Sequence, residues 1–390
     1  MRKNILFITR WYPNRVDKLD GNFIENHARA VSLYCNIAVL YIGADPGMSN
    51  RLYDWEVEKE FGFTVIRIWY RNNDVSAKGL GRVIKLFRYI KATQLGWQLI
   101  KKNFGMPDVS HVHIFTRPVL LALYLQYKYR IPYMLSEHSS HFVHNLPVLL
   151  PPLKWFAQIA ARQACFITAV SKTLQQAMLS FGLRGNYIVV PNVVFVQDSS
   201  QKTMAEGEAI NIIAIGSLTD PRKNIKGLIE AFTRIHHLIP AARLNIIRPA
   251  SNQSLHNIEL ANDLLNKKIF FHDYLSNAEV YRLLLQSSFL IVNSLSETFS
   301  MAAAEALACG KPVVTTRCGG PEEFIDESSG ILIDTHDEIQ LEQALIRMCN
   351  EYKLYDAEKL KKFVCDHFSE EIVGKKLLGI YEKILSPQPS

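Results

Sequence analysis

The chain has 390 residues, 48% hydrophobic and 21% charged, a composition of an ordinary globular protein too long for one core to be the first expectation. No stretch approaches the ~20 apolar residues that a membrane span requires, and the apolar run before Arg10 is too short for a signal peptide. The net charge of +7 is uneven: residues 1–195 carry 24 Lys+Arg against 11 Asp+Glu, the remainder 20 against 26, so the first half attracts anions.

In chain order, strands are expected at 4–9, 36–42, 63–69, 109–115, 132–136, 165–170 and 187–191. Helical patterns fall between them at 22–34, 78–102, 117–129, 150–163 and 171–180. Residues 195–209 lose periodicity and read as a linker. Strands resume at 210–216, 243–248, 268–274, 289–294, 311–316 and 330–334, with helices at 225–237, 256–266, 277–286, 300–309 and 337–351. The tail, about 355–386, reads as helical. Strand–helix alternation predicts an α/β protein of two doubly wound, Rossmann-like domains, with ligand at strand C-termini and in the cleft between them. The expected division is 1–194, linker 195–209, 210–368, and a C-terminal helix 369–390 packing back on the first domain. The six cysteines form no C-x-x-C pair, which suits a reducing cytosol and argues against a disulfide frame or zinc site.

The segment "SLSETFSMAAAEALACGKPVVTT" (294–316) places Glu297 and Glu305 eight positions apart. Glu297 falls in the loop after a strand, and Glu305 about a turn and a half into a helix that Ser300 caps and Gly310 stops. The helix start between them presents unpaired N–H groups and a positive dipole end. A ligand with a diphosphate between two hydroxyl-rich groups, a nucleotide sugar, would span all three.

"ETFSMAAAEALACGKPVVTT" with "CGGPEEFI" resembles the E-x7-E signature and glycine–proline turn of retaining glycosyltransferases with the GT-B fold, specifically glycosyltransferase family 4. "AIGSLTDPRKNIKGLIEAF", "AVSKTL…YIVVPNVV", "ITRWYPNRVDKLDGNF" and "DVSHVHIF" resemble further family segments in the right order. The resemblance implies that Glu305 accepts from the donor ribose and Glu297 binds the transferring sugar. It implies that amides of Thr298, Phe299 and Ser300 meet the phosphates, and that Arg222 and Lys223 neutralise the diphosphate. Gly21 and Gly216 would lie against the donor, the four residues Glu297, His113, Arg222 and Lys223 would form the catalytic set, and His138 and Glu137 would contact the acceptor. Both glutamates are expected to face the inter-domain crevice with Arg222 and Lys223 across from them. In such enzymes the departing phosphate takes the acceptor proton, so no Ser/His/Asp arrangement is expected. No cofactor is expected; a UDP- or GDP-sugar is the substrate. No D-x-D occurs, which argues against a carboxylate-held metal at the diphosphate. Three positions depart from the family pattern: "IIRPAS" (246–251) replaces a glycine-rich loop, His272 a glycine, and Ser217 an arginine.

Between Asp74 and Asp108 there is no acid, while Lys78, Arg82, Lys85, Arg88 and Lys91 alternate with Val83, Ile84, Leu86, Phe87 and Ile90. This reads as a basic amphipathic helix able to lie on anionic lipid, with "LPVLLPPLKWF" (146–156) as a second apolar patch. The bland alternative is a surface helix with snorkelling lysines. The expected partners are a nucleotide sugar and a glycan or lipid-linked acceptor in surface or exopolysaccharide assembly, at the inner face of a cytoplasmic membrane. No nucleic-acid module is recognisable. A sugar-nucleotide epimerase of the same fold, or a non-catalytic glycan- or lipid-binding protein, is the rival reading. A dehydrogenase is excluded, since no G-x-G-x-x-G follows the first strand.

Overall fold

The structure, a computed structural model, describes residues 2–76, 78–144, 151–196, 209–248, 263–273 and 275–386. The chain forms two compact units. One comprises Met1–Val170, Gln175–Val193 and Glu370–Ser390, the other Ser171–Leu174 and Val194–Ser369.

The first unit runs β1 (Asn4–Thr9), α1 (Asn22–Ser32), β2 (Asn36–Ala44), β3 (Tyr53–Glu60), β4 (Phe63–Tyr70), α2 (Leu80–Asn103), β5 (Val109–His113) and α3 (Pro118–Tyr129). It continues with β6 (Tyr133–Glu137), α4 (His141–His144), α5 (Pro151–Gln163), β7 (Ile167–Ala169), α6 (Lys172–Phe181) and β8 (Tyr187–Val189). The strands form one sheet in the order β3-β4-β2-β1-β5-β6-β7-β8. The central strand β1 reads "NILFIT" and its last five residues are buried, as a strand covered on both faces requires.

Among the strands only β3 was not expected, and the short helix α4 was not expected either. Strand β3 pairs antiparallel with β4, so the sheet is not wholly parallel. Its sequence, "YDWEVEKE", carries four acids, and no strand was expected there. The acids have a structural reason: Glu56, Glu58 and Glu60 alternate onto one face and reach Arg67 of β4 at 3.2, 3.2 and 2.6 Å. Arg67 is 7% exposed, and a buried guanidinium needs such counter-charges.

The second unit contains β9 (Ile210–Ile215), a 3-10 turn Pro221–Lys223, α7 (Ile225–Ile235), β10 (Ala242–Arg248), β11 (Ile269–Asp273), α8 (Asn277–Gln286) and β12 (Phe289–Val292). Then come α9 (Met301–Ala308), β13 (Val313–Thr316), β14 (Gly330–Ile333), α10 (Glu338–Glu351) and α11 (Ala357–Phe368). Its parallel sheet has the order β11-β10-β9-β12-β13-β14. Ile229, Phe232, Leu345 and Met348, from α7 and α10, are buried together over it. Most of the helix expected at 256–266 and most of the linker expected at 195–209 lie outside the described residues, as does 146–150 of the second apolar patch.

In both sheets the chain leaves its first strand in one direction and later returns to its other side. The reversal falls between β1 and β5 in the first unit and between β9 and β12 in the second. At such points the loops leaving the strand C-termini diverge and open a crevice. The final helix, α12 (Glu370–Leu385), belongs to the first unit and packs on α1. Gly374 makes that packing possible, because a Cβ there would stand 2.4 Å from the Ala30 carbonyl oxygen. Gly379, on the same helix, has no atom of the described residues within 4 Å of its virtual Cβ beyond its chain neighbours and the helix's own backbone. Ala is favoured over Gly in a helix by about 1 kcal/mol, so Gly379→Ala should raise stability by up to that amount. Gly374→Ala should instead lower it by roughly 1–3 kcal/mol through overpacking. Urea unfolding of the two variants measures both; a gain at Gly374 would contradict the α1–α12 contact.

Candidate functional site

In the second unit the loops leaving β9 and β12 are stitched together at the reversal. Leu295 N donates to the Arg222 carbonyl at 2.7 Å, and Asn293 Nδ2 to the Asn224 carbonyl at 3.2 Å. This brings Lys223 Nζ to 2.6 Å from Glu297 Oε1, which also accepts from Ser294 Oγ at 2.8 Å. Lys223 therefore lies directly against Glu297, within one unit, and not across a crevice from it. Arg222 turns its fork to Asp220, with Nε and Nη2 at 2.8 and 2.7 Å from the two carboxylate oxygens. That pairing holds the Asp220 carboxyl below its usual range. The Arg222 side chain remains 46% exposed.

The loop after β13 buttresses Glu297 from the other side. Glu297 N donates to the Cys318 carbonyl at 2.7 Å, and Gly320 N to the Glu297 carbonyl at 2.9 Å. A Cβ on Gly320 would meet the Thr298 carbonyl at 2.4 Å, so the glycines of "CGGPEEFI" are needed for this close approach. Phe299 is buried against Phe324 and Phe368, at 5.3 and 5.1 Å between ring centroids.

Ser300 precedes α9 but does not cap it by its side chain. It sits at φ 68°, a left-handed conformation uncommon for serine, and the expected cap bond is absent. Among the described residues the N–H groups of Phe299, Ser300 and Met301 donate to no protein acceptor. The helix start is thus a set of free donors next to the Lys223–Glu297 pair.

Glu305 lies further along α9 among Ala303, Ala304 and Ala306, all buried. Its carboxylate is half-buried and accepts no hydrogen bond from the described residues, and burial pushes its pKa up to about 7. A desolvated carboxylate without donors is costly unless a ligand supplies them.

Of the positions that depart from the family pattern, 249–251 lie outside the described residues, and Arg248, His272 and Ser217 are each partnered by a neighbour. Arg248 is buried, pairs with Asp273 at 2.5 and 2.6 Å, and lies 4.8 Å over the Phe271 ring. His272 Nε2 is 3.0 Å from Asn245 Oδ1, and Ser217 Oγ is 2.7 Å from Thr219 Oγ1. Gly216 N donates to the Ile247 carbonyl at 3.0 Å.

The remaining candidates lie in the first unit. Gly21 has φ +63° and a virtual Cβ 2.4 Å from the Trp11 carbonyl carbon, so only glycine fits there. Glu137 is not open to an acceptor as expected. Its oxygens accept from the backbone N–H groups of Phe115, His138 and Ser139 at 2.8, 2.9 and 2.7 Å, so the carboxylate is spent on holding two turns.

His113 and His138 are buried and stack at 5.5 Å, with His113 Nδ1 3.3 Å from His138 Nε2. Asn192 Oδ1, an acceptor 3.0 Å from His138 Nδ1, fixes the proton there. His138 Nε2 is then the acceptor for His113 Nδ1–H, and His113 Nε2 keeps a lone pair with no partner among the described residues. Burial lowers both pKa values well below 6.5, so both rings are neutral. Sequence reading missed His27 of α1, whose Nε2 meets the Pro191 carbonyl at 3.2 Å and whose Nδ1 is a second unpartnered lone pair. The three rings offer nitrogens within 4.8 Å of one another. In "NFIENHARAVS" His27 looks like any core-facing helical residue, and no local signal marks it.

On α2, Leu80, Val83, Leu86 and Phe87 are exposed, beside exposed Lys78, Arg82 and Lys91 and half-buried Lys85. Arg88 is not part of this face: it pairs with Asp74 at 2.6 Å and its side chain is 14% exposed. Among the described residues no helix is long and apolar enough to cross a membrane.

Residues 55–197 match the sequence profile described as "Glycosyltransferase Family 4", and residues 196–363 the one described as "Glycosyl transferases group 1". An uncharacterized glycosyltransferase of Methanocaldococcus jannaschii is 28% identical over 305 residues, 76% of this chain and 80% of that protein. A probable sucrose-phosphate synthase of Thermosipho melanesiensis is 29% identical over 44% of this chain and 41% of its own length. Among solved structures, sucrose-phosphate synthase from Thermosynechococcus elongatus superposes with a TM-score of 0.75 at 17% identity, covering 98% of this chain and 99% of that one. The Anabaena protein HepE, in complex with UDP-glucose, gives 0.69 at 16% identity, covering 98% and 99%.

The raised pKa of Glu305 has a definite sign. Between the ordinary carboxylate value of 4.5 and about 7 the folded protein holds a proton that the unfolded chain has lost, so the ligand-free fold weakens as pH rises through that window. Glu305→Gln should therefore stabilise the ligand-free protein at pH 8, by about 1–2 kcal/mol, and change little at pH 4.5. Denaturant unfolding at the two pH values measures this; equal effects at both would show that the carboxylate is not desolvated.

Proposed function

The chain belongs to glycosyltransferase family 4 with the GT-B fold, and on that premise we propose that it transfers a sugar, with retention of anomeric configuration, from a nucleotide sugar to a hydroxyl of a glycan or lipid-linked glycan. One observation carries the reading. At the second unit's reversal point, free N–H donors at the start of α9 lie between a glutamate paired to Lys223 and a half-buried glutamate with no donor of its own. A nucleotide sugar matches each part: hydroxyls for Glu305, phosphate oxygens for the amides of Thr298, Phe299 and Ser300, and the transferring sugar for Glu297. That HepE was solved with UDP-glucose supports a nucleotide-sugar donor.

Charge develops on the diphosphate as the glycosidic bond breaks. Lys223 and Arg222 are the cations that stabilise it, and they do so without reorganising solvent. Lys223 is held by Glu297 and Arg222 by Asp220. The donor diphosphate draws both cations toward itself, and Glu297 is then free to accept from the sugar. No side chain is needed as base, because the departing phosphate takes the acceptor proton on the face it leaves. The role of neutral His113 is to accept a hydroxyl hydrogen bond, not to move a proton. The reaction needs no metal, since the two cations take its place. The setting is surface or exopolysaccharide assembly, with α2 against an anionic membrane surface.

Nucleoside diphosphates and their sugars should raise the melting temperature, by mass action on the folded state. Lys223→Met should lower kcat about 10²–10³-fold, the cost typical of losing one fixed charge-stabilising group. Proton NMR of the first-formed product should show the donor's anomeric configuration, with EDTA leaving the rate unchanged. An inverted product would refute retention. Turnover of donor without any acceptor into an epimer would favour the epimerase, and tight binding without transfer a binding protein. In flotation, preference for anionic over zwitterionic vesicles is expected; its absence would remove the membrane from the reading.

A further inference from the structure

The first unit has its own cavity at its own reversal point, about 930 Å³, near the upper end of the roughly 300–1,000 Å³ of small-molecule sites. Arg10, Trp11 and Asp20 reach it from the segment after β1, and Phe115 and Arg117 from the segment after β5. Its walls suit neither a sugar nor a sugar phosphate. Tyr41, Tyr70, Leu86, Val119, Phe156 and Ala157 make them largely apolar, and a polyhydroxylated ligand would leave several hydroxyls unpaired there.

Two cations break the apolar lining. Arg117 Nη1 donates to the Tyr70 hydroxyl at 3.2 Å, and its guanidinium lies 5.5 Å over the Tyr89 ring, so the fork is held in place by aromatic groups. Arg10 lies 5.9 Å from the centroid of the Trp11 ring. Neither arginine forms an ion pair among the described residues, and Asp20 is the acid nearest Arg10 in the lining. Two exposed, unpaired arginines over an apolar cavity form a site for phosphate, which a guanidinium binds in two-pronged fashion. The mouth adds a direction. Leu86 and Leu153 line the cavity yet are 42% and 54% exposed, and Val83 and Phe87 on α2 and Trp155 on α5 are exposed as well.

We propose that this cavity holds a lipid phosphate, a single apolar chain bearing a phosphate, as the anchor of the acceptor. Arg10 and Arg117 grip the phosphate, the aromatic and aliphatic walls take the first carbons of the chain, and the rest leaves over Leu86 and Leu153. The assignment rests on the glycosyltransferase reading for the word acceptor, but the binding it requires is measurable without transfer.

Titration calorimetry with decyl phosphate, decanol and inorganic phosphate, all below micelle formation, tests it. Decyl phosphate should bind at least tenfold more tightly than either of the others. Arg10→Gln with Arg117→Gln should abolish its advantage over decanol, and Ala44→Phe, which fills the cavity, should weaken both alkyl ligands about tenfold. Leu86→Trp at the exposed mouth serves the same purpose should Ala44→Phe not fold. Unchanged alkyl binding in the filled variants, or inorganic phosphate binding as well as decyl phosphate, overturns the proposal. Dihexanoyl phosphatidylglycerol binding as tightly as decyl phosphate overturns it too, in favour of a bulk-lipid headgroup site. The nucleoside-diphosphate thermal shift should persist in every variant. Its absence from the wild-type protein would instead defeat the glycosyltransferase reading and leave the cavity's ligand to the calorimetry.

Discussion

The contact between Lys223 and Glu297 is the joint on which the second unit's site depends. The two residues are 74 positions apart and reach each other because β9 and β12 are parallel neighbours whose C-termini end at the same edge of the sheet. The ion pair is partly buried, so it is worth more than a surface pair but still depends on its supports. Ser294 supplies a second hydrogen bond to the same oxygen, and the Leu295–Arg222 backbone bond fixes the spacing. Behind Glu297, the Gly319–Gly320 segment presses on its backbone from β13. Three loops thus converge on one carboxylate, and the free N–H groups of α9 begin two residues later.

The same topology gives the first unit a cavity, but different residues give it different chemistry. In the second unit the reversal point is lined by charge and free backbone donors, which suits a diphosphate flanked by hydroxyls. In the first unit it is lined by aromatic and aliphatic side chains with two arginines, while buried Glu137 is spent on backbone N–H groups and buried His138 on His113 and Asn192. The charge asymmetry between the halves of the chain has its counterpart here, in unpaired arginines on one unit and unpaired amides with a donor-less carboxylate on the other.

Much of this was legible along the chain because it is local. The runs at 4–9 and 277–286 fell where expected, since an apolar run or a capped amphipathic pattern declares itself within its own length. Glu297 and Glu305 stood out because acids are out of place in an alanine-rich, buried-looking segment. The strand at 53–60 did not read as a strand, because its acids answer Arg67 on the neighbouring strand and mean nothing without that partner. Glu137 and Arg88 read as free functional groups, and the structure gives each a local structural partner. His27 carried no mark at all; its interest comes from two histidines contributed by other strands and loops.

The sequence alone determined the two sheets apart from β3, and the pair of glutamates with a helix start between them, because hydrophobic period, turn residues and loop glycines act over a few positions. Only the tertiary structure decided that Lys223 is the cation touching Glu297, that Arg222 waits on Asp220, that Glu305 accepts from none of the described residues, and that Arg10 and Arg117 flank an apolar cavity. Those are relations between segments tens of residues apart, and parallel strands joined by crossovers bring such segments together in a way no local pattern encodes.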